Sequence, residues 1–140
     1  MTRKEKYPDT ATFHFYNANP HNRITTDCVI RAIATASEKD YNDVVMDLAK
    51  LQCKTGFDPS EASTFGKYLE SLGFVKESQP RKSDYTKYTG KEFCELLKRI
   101  GNKKNIVANI GGHHTVAIID NKVYDTWNST KGCIGNYWTK

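Results

Sequence analysis

Three residues of this chain, Cys28, His114 and Asp125, have types and spacing that point to covalent chemistry. The last two belong to a stretch that reads as a β-hairpin. Thr115 to Ile119 is a β-branched, apolar run, and Asp120-Asn121 is a pair that tolerates left-handed backbone. Lys122 to Trp127 is the return strand. A two-residue turn sets Ile119 opposite Lys122 and Val116 opposite Asp125. His114 then lies opposite Trp127, with Asp125 diagonal to it on the same face as Val116, Ile118 and Val123. His113, Thr115, Lys122 and Tyr124 fall on the other, wetter face. An imidazole, a carboxylate and a covering indole are the parts of a base with its orienting group. Taken alone, the hairpin reads first as a half-buried element whose His and Asp satisfy each other.

Cys28 follows Thr25-Thr26-Asp27, three N-cap candidates in a row, so its expected place is the first turn of a helix running to about Ser37. The unpaired N–H groups and the dipole there stabilise a thiolate. Asp27 opposes this if its carboxylate points at the sulfur, and much less if it caps the helix. The plain alternative is a small buried hydrophobe. Cys53 and Cys94 fit that alternative, and Cys133 is assigned no role. His113 competes with His114, because a three-residue turn would bring it onto the face of Asp125. The alternating strand that follows His114 favours His114. His14 and His21 are expected at the surface.

The elements that must bring Cys28 to the hairpin follow in order. Residues 1–9 are polar, carry Pro8 and read as a loose tail, leaving a single domain over 10–140. Thr10 to Tyr16 suggests a short strand with Ala11, Phe13 and Phe15 on one face. The Cys28 helix has a buried stripe of Val29, Ala32, Ile33 and Ala36, small enough to sit deep. A second helix spans Tyr41 to Leu51, with Val44, Val45, Leu48 and Leu51 inward. Ser60 is the expected cap of a third, with Phe65, Tyr68, Leu69 and Leu72 inward. Phe74-Val75 suggests a short strand, and residues 76–88 an exposed loop. Thr89 caps a fourth helix, with Phe93, Leu96, Leu97 and Ile100 inward. Asn105 to Ile110, the hairpin and Cys133 to Trp138 supply strands. The class is α+β: N-terminal helices, with the cysteine on a central one, packed on a C-terminal antiparallel sheet.

Composition narrows the function. No apolar run approaches a membrane span and the first residues carry no apolar signal segment, so no membrane partner is expected. The expected setting is a reducing one, the cytoplasm. No two of the four cysteines sit at CxxC spacing, which argues against zinc and against a disulfide framework. The formal net charge is +5, and Lys76 to Lys104 holds nine Lys or Arg against four Asp or Glu. The whole excess therefore lies in that stretch, which reads first as a solvated face and second as a contact for an anionic partner.

A cysteine opening a helix early, a histidine opening a strand late and a carboxylate on the next strand resemble, in this order, the papain-like cysteine peptidases. His114-Thr115-Val116-Ala117-Ile118 is similar to the family's histidine strand, and Asp125-Thr126-Trp127 to its orienting residue with a shielding Trp. The stretch also resembles small phage and bacterial proteins with a Gly-His hairpin ending in Tyr-Asp-Thr-Trp. The resemblance implies a papain-like fold and a Cys28–His114–Asp125 triad. It also implies an oxyanion donor at Asn22, six residues before Cys28, where many members carry Gln. The Cys-Gly-Ser-Cys-Trp signature of papain itself is absent; Thr26-Asp27-Cys28-Val29 stands in its place.

Two functions of different class follow. One is a thiol hydrolase of peptide, isopeptide or related amide bonds, acting on a protein or peptide substrate and needing no cofactor or metal; deamidation and amide exchange use the same parts. The other is a non-catalytic, phage-type protein-binding module on the same fold, using the basic surface. Nucleic-acid binding through residues 76–104, with Tyr85 and Tyr88 for stacking, is a weaker third reading, since no recognised module is present.

Overall fold

The computed structural model describes residues 1–140. It contains five helices, α1 (Arg3–Lys6), α2 (Cys28–Ser37), α3 (Tyr41–Thr55), α4 (Ala62–Ser71) and α5 (Gly90–Arg99). The strands are β1 (Phe13–Phe15), β2 (Val75–Glu77), β3 (Ile106–Ile110), β4 (His114–Ile119), β5 (Lys122–Asp125) and β6 (Ile134–Thr139). They form one six-stranded sheet in the order β1-β5-β4-β3-β6-β2. The class is α+β as expected, but the sheet is mixed rather than purely antiparallel. β1 pairs parallel with β5, and β2 closes the opposite edge against β6.

The β4–β5 hairpin has the register derived from its sequence. Ala117, Ile118 and Ile119 pair with Tyr124, Val123 and Lys122. Asp120 and Asn121 both have positive φ, 49° and 59°, as a two-residue hairpin turn of matching twist requires.

Both faces of this sheet are covered, so the expected wet face does not exist. On one side Val107, Ala117 and Trp138 join a core with Ile33 of α2, Val44 and Leu48 of α3, and Phe65 and Leu69 of α4. On the other, Ile106, Ala108, Val116, Ile118 and Val123 pack on Phe93, Cys94 and Leu97 of α5 and on Phe13. Alternating residues of β3 and β4 thus feed opposite cores, which explains why the run Val116-Ala117-Ile118-Ile119 is apolar without interruption. Thr115, placed on the wet side by alternation, is buried. Gly66 lets α4 lie on Trp138, where an added Cβ would sit 3.0 Å from the indole Cζ2.

Other expectations need correction. Residues 3–6 of the supposed tail form a helical turn closed by a Thr2–Glu5 capping box, and the Arg3 Nε donates to the Thr126 carbonyl at 2.6 Å. Ser60 does not cap α4. Its N–H and hydroxyl bond Asp58, and Glu61 takes the N-cap position without a side-chain bond. Ile100 ends α5 and is exposed, not inward. Cys53 is exposed too, so only Cys94 behaves as the buried hydrophobe. No helix is long and apolar enough to cross a membrane.

Candidate active site

His114 is the first residue of β4 and Asp125 the last of β5. Both share the alternation of the α5-side core, yet at the strand ends the sheet no longer separates the two layers, and their polar ends reach α2. His114 Nε2 lies 2.6 Å from Asp125 Oδ2. Asp125 is 1% exposed, and its four partners fix it. Oδ2 also accepts from the Ser129 hydroxyl at 2.9 Å, while Oδ1 accepts from the Thr126 N–H at 2.7 Å and from Arg31 Nη1 at 3.2 Å. Burial alone would raise its pKa; the His114 bond and charge, with the Thr126 and Ser129 donors, hold it below the usual carboxylate value. Asp125 is therefore an anion at neutral pH, so Nε2 carries the proton toward it and Nδ1 faces away.

The Cys28 thiol stands against this ring. Burial pushes its pKa up, but interaction with the His114 ring and with the Thr115 backbone N–H outweighs burial, and the Arg31 charge adds to the lowering. His114 responds in the opposite sense. Burial would depress it, but Asp125 and Cys28 push it up to about 9. The two shifts run in the directions that attraction between a thiolate and an imidazolium would give. The Trp127 ring covers the imidazole with centroids 5.1 Å apart, from just beyond the end of β5.

The start of α2 explains why the thiol sits there. Asp27 occupies the N-cap position but makes no capping bond. Its Oδ1 accepts from Arg31 Nε at 2.8 Å, and its Oδ2 from the Tyr41 hydroxyl at 2.6 Å and the Asn19 amide at 3.1 Å. The carboxylate that could have opposed a thiolate is thus neutralised by Arg31, and the first-turn N–H groups of α2 stay open for an anion. Arg31 is 8% exposed, and its guanidinium bridges Asp27 to Asp125, joining the base of the helix to the hairpin. Burial works against its charge, but the two carboxylates more than compensate.

A cleft of about 440 Å³ opens over the thiol, lined by Thr25, Thr26, Cys28, His114 and Trp127, with Arg3 and His113 at its margin. A larger groove, about 830 Å³, lies elsewhere, on the α5 side. The chemistry-bearing groups belong to the smaller one.

Cys28, His114 and Asp125 are therefore brought together. Asn22 is not. It is exposed, held at φ 53° in the loop before α2, and its Oδ1 faces the Asn17 amide at 3.5 Å rather than the cleft. The short Asn17–Arg23 loop folds on its own amides, with Asn17 Nδ2 donating to the Arg23 carbonyl at 3.0 Å, and this turns Asn22 outward. His113 precedes β4 in the turn, exposed, and does not replace His114. Sequence reasoning missed Arg31, Ser129, Tyr41 and Asn19. Only Arg31 left a signal: it follows Asp27 by four residues, within the reach of a helical ion pair. No cluster of three His, Cys, Asp or Glu side chains is placed to hold a metal ion.

Comparison with protein-family models, with curated proteins and with solved structures finds no match to this chain in any of the three.

Proposed function

We propose that the protein is a thiol hydrolase of amide bonds, papain-like in plan, working on a protein or peptide substrate in a reducing compartment such as the cytoplasm. The observation that carries this reading is the position of the His114 ring. One nitrogen is anchored 2.6 Å from a buried carboxylate, and the thiol of an uncapped helix start stands beside the ring.

The steps use these groups alone. The Cys28 thiolate attacks the carbonyl carbon, and the negative charge on the carbonyl oxygen is met by the open first-turn N–H groups of α2. The imidazolium of His114 passes its proton to the leaving amine as the C–N bond breaks, leaving a thioester on Cys28. Neutral His114 then takes a proton from water, whose oxygen attacks the thioester. The acid leaves and the thiol pair is restored. Asp125 holds the ring and stabilises its charged form throughout. An amine in place of water turns the same intermediate into amide exchange.

The test is competitive alkylation of the intact chain with iodoacetamide near neutral pH, read by peptide mass mapping. Cys28 is expected to react at least about tenfold faster than exposed Cys53 and Cys133, with Cys94 slowest. Equal, slow labelling of Cys28, Cys53 and Cys133 would contradict the reading.

The second reading is a non-catalytic protein-binding module. It is favoured by one feature, the basic lining of the larger groove. It requires that Cys28→Ala keep the full biological effect while charge reversal on that surface abolishes it.

A further inference from the structure

The larger groove is walled by the outer face of α5 and by the loop between β5 and β6. Lys91, Lys98 and Arg99 come from the helix and Lys131 from the loop; Glu95 is the one carboxylate among them. All four cations are exposed, and none forms an ion pair within the chain. The helical spacing of Lys91, Glu95 and Lys98 keeps them on one face of α5. The rest of the lining is mostly threonine and asparagine, Thr10 and Asn128 among them, with Ala11 and Cys94 the apolar exceptions.

The loop ties this groove to the cleft. Thr126 and Trp127 line the cleft, and Asn128, Thr130 and Lys131 line the groove. The loop is tied to itself and to α5 by its hydrogen bonds. Asn128 Oδ1 accepts from the Thr130 N–H and hydroxyl at 3.1 and 2.6 Å, and the Gly90 and Lys91 N–H groups donate to the Gly132 and Thr130 carbonyls. Gly90 fits there without room for a side chain, since an added Cβ would lie 2.8 Å from Ile110 Cδ1 and 3.1 Å from Thr130 Cα. The two concavities are therefore separated by one short, fixed ridge.

We propose that the groove is a binding site for an acidic segment of the protein substrate, which crosses the ridge to present its scissile amide to Cys28. This rests on the amide-hydrolase reading above, and it names the substrate class: proteins with a run of Asp or Glu close to the cleaved bond. Charge complementarity selects an anionic partner. The lining selects peptide over nucleic acid, because no Phe, Tyr or Trp lines the groove for base stacking and exposed Tyr85 lies outside it. Arg3, at the margin of the cleft, continues the positive lining on the other side of the ridge.

The experiment is fluorescence anisotropy of a fluorescein-labelled hexaglutamate peptide with the full chain at low and physiological salt. The comparison is the triple variant Lys98→Glu, Arg99→Glu, Lys131→Glu, with the milder Lys98→Gln, Arg99→Gln pair as a second variant should the triple one fail to fold. The expected result is salt-sensitive binding that weakens at least about tenfold in the triple variant, or at least about threefold in the milder pair. Cys28 alkylation should stay unchanged in either. Absence of peptide binding to the unmodified chain, binding unaffected by the substitutions, or tighter binding of a single-stranded oligonucleotide at the same residues would each overturn the proposal. Slow Cys28 labelling with peptide binding intact would overturn the hydrolase reading, and with it the substrate role of the groove. The site for an acidic peptide would then stand as that of a binding module.

Discussion

Two helices lie on opposite faces of one sheet, each with a cysteine in its first half, and their environments drive the two thiols in opposite directions. α5 is closed at its start: the Thr89 hydroxyl accepts from the Glu92 N–H, and the Glu92 carboxylate accepts from the Thr89 N–H. Its Cys94 is 0% exposed, and burial pushes the thiol pKa up to about 12. α2 is open at its start, because Asp27 is turned aside to Arg31, Tyr41 and Asn19. Its Cys28 is partly exposed, faces His114 and is pulled toward thiolate. Capping stabilises a helix; leaving the cap off preserves donors for an anion. The contrast teaches that these two thiols differ through what the first helical turn and the neighbouring strand ends leave unpaired.

The largest effect expected from breaking this contrast is at Arg31. Arg31→Met leaves Asp27 and Asp125 buried without their shared cation, a loss on the order of 3–5 kcal/mol. Chemical denaturation should show it as a lower midpoint, and Cys28 alkylation should slow as Asp125 loses its orientation. Next in size, His114→Ala should slow Cys28 alkylation near neutral pH about tenfold and leave Cys53 and Cys133 unchanged.

A pH series sharpens the comparison further. The folded pKa of His114, about 9, lies above its ordinary 6.5. Its contribution to stability is therefore full below about pH 6.5 and is lost as pH rises toward 9. Cys28 has a lowered pKa, so its thiolate contributes above the unfolded value of 9.0 and loses that contribution as pH falls through the folded one. The melting temperature of the natural chain should fall from neutral to alkaline pH, because the large His114 shift outweighs the opposing Cys28 one, and the fall should shrink in His114→Ala. The smallest effect belongs to α5. Thr89→Ala should cost about 1 kcal/mol, seen in the same denaturation assay, with no change in Cys28 reactivity.

Much of the site was legible because it rests on short-range rules. Alternation along Thr115 to Ile119 and a turn pair that accepts positive φ are enough to set Ala117 to Ile119 against Lys122 to Tyr124, although the return strand expected to reach Trp127 ends at Asp125. Cys28 at a helix start follows from three polar residues before an apolar stripe. The edges were less legible. β2 has three residues, too few for periodicity, and pairs with a segment some 60 residues away. That β1 would pair parallel with β5 is a tertiary fact with no local signal. The uninterrupted apolar run of β4 did carry the message that both faces are covered. Thr2-x-x-Glu5 likewise carried a capping box in what read as a tail. Asn22 turns to Asn17 and does not line the cleft, because a fixed spacing before the cysteine takes no account of how the loop folds.

The central claim is that Cys28 is held as a thiolate by His114. The pH profile of iodoacetamide alkylation at each cysteine, compared between the natural chain and His114→Ala, tests it most directly. The account predicts a Cys28 midpoint below the ordinary thiol value, rising toward it once the imidazole is removed. A Cys28 midpoint at or above the ordinary value in the natural chain, or one that does not move in His114→Ala, would contradict it.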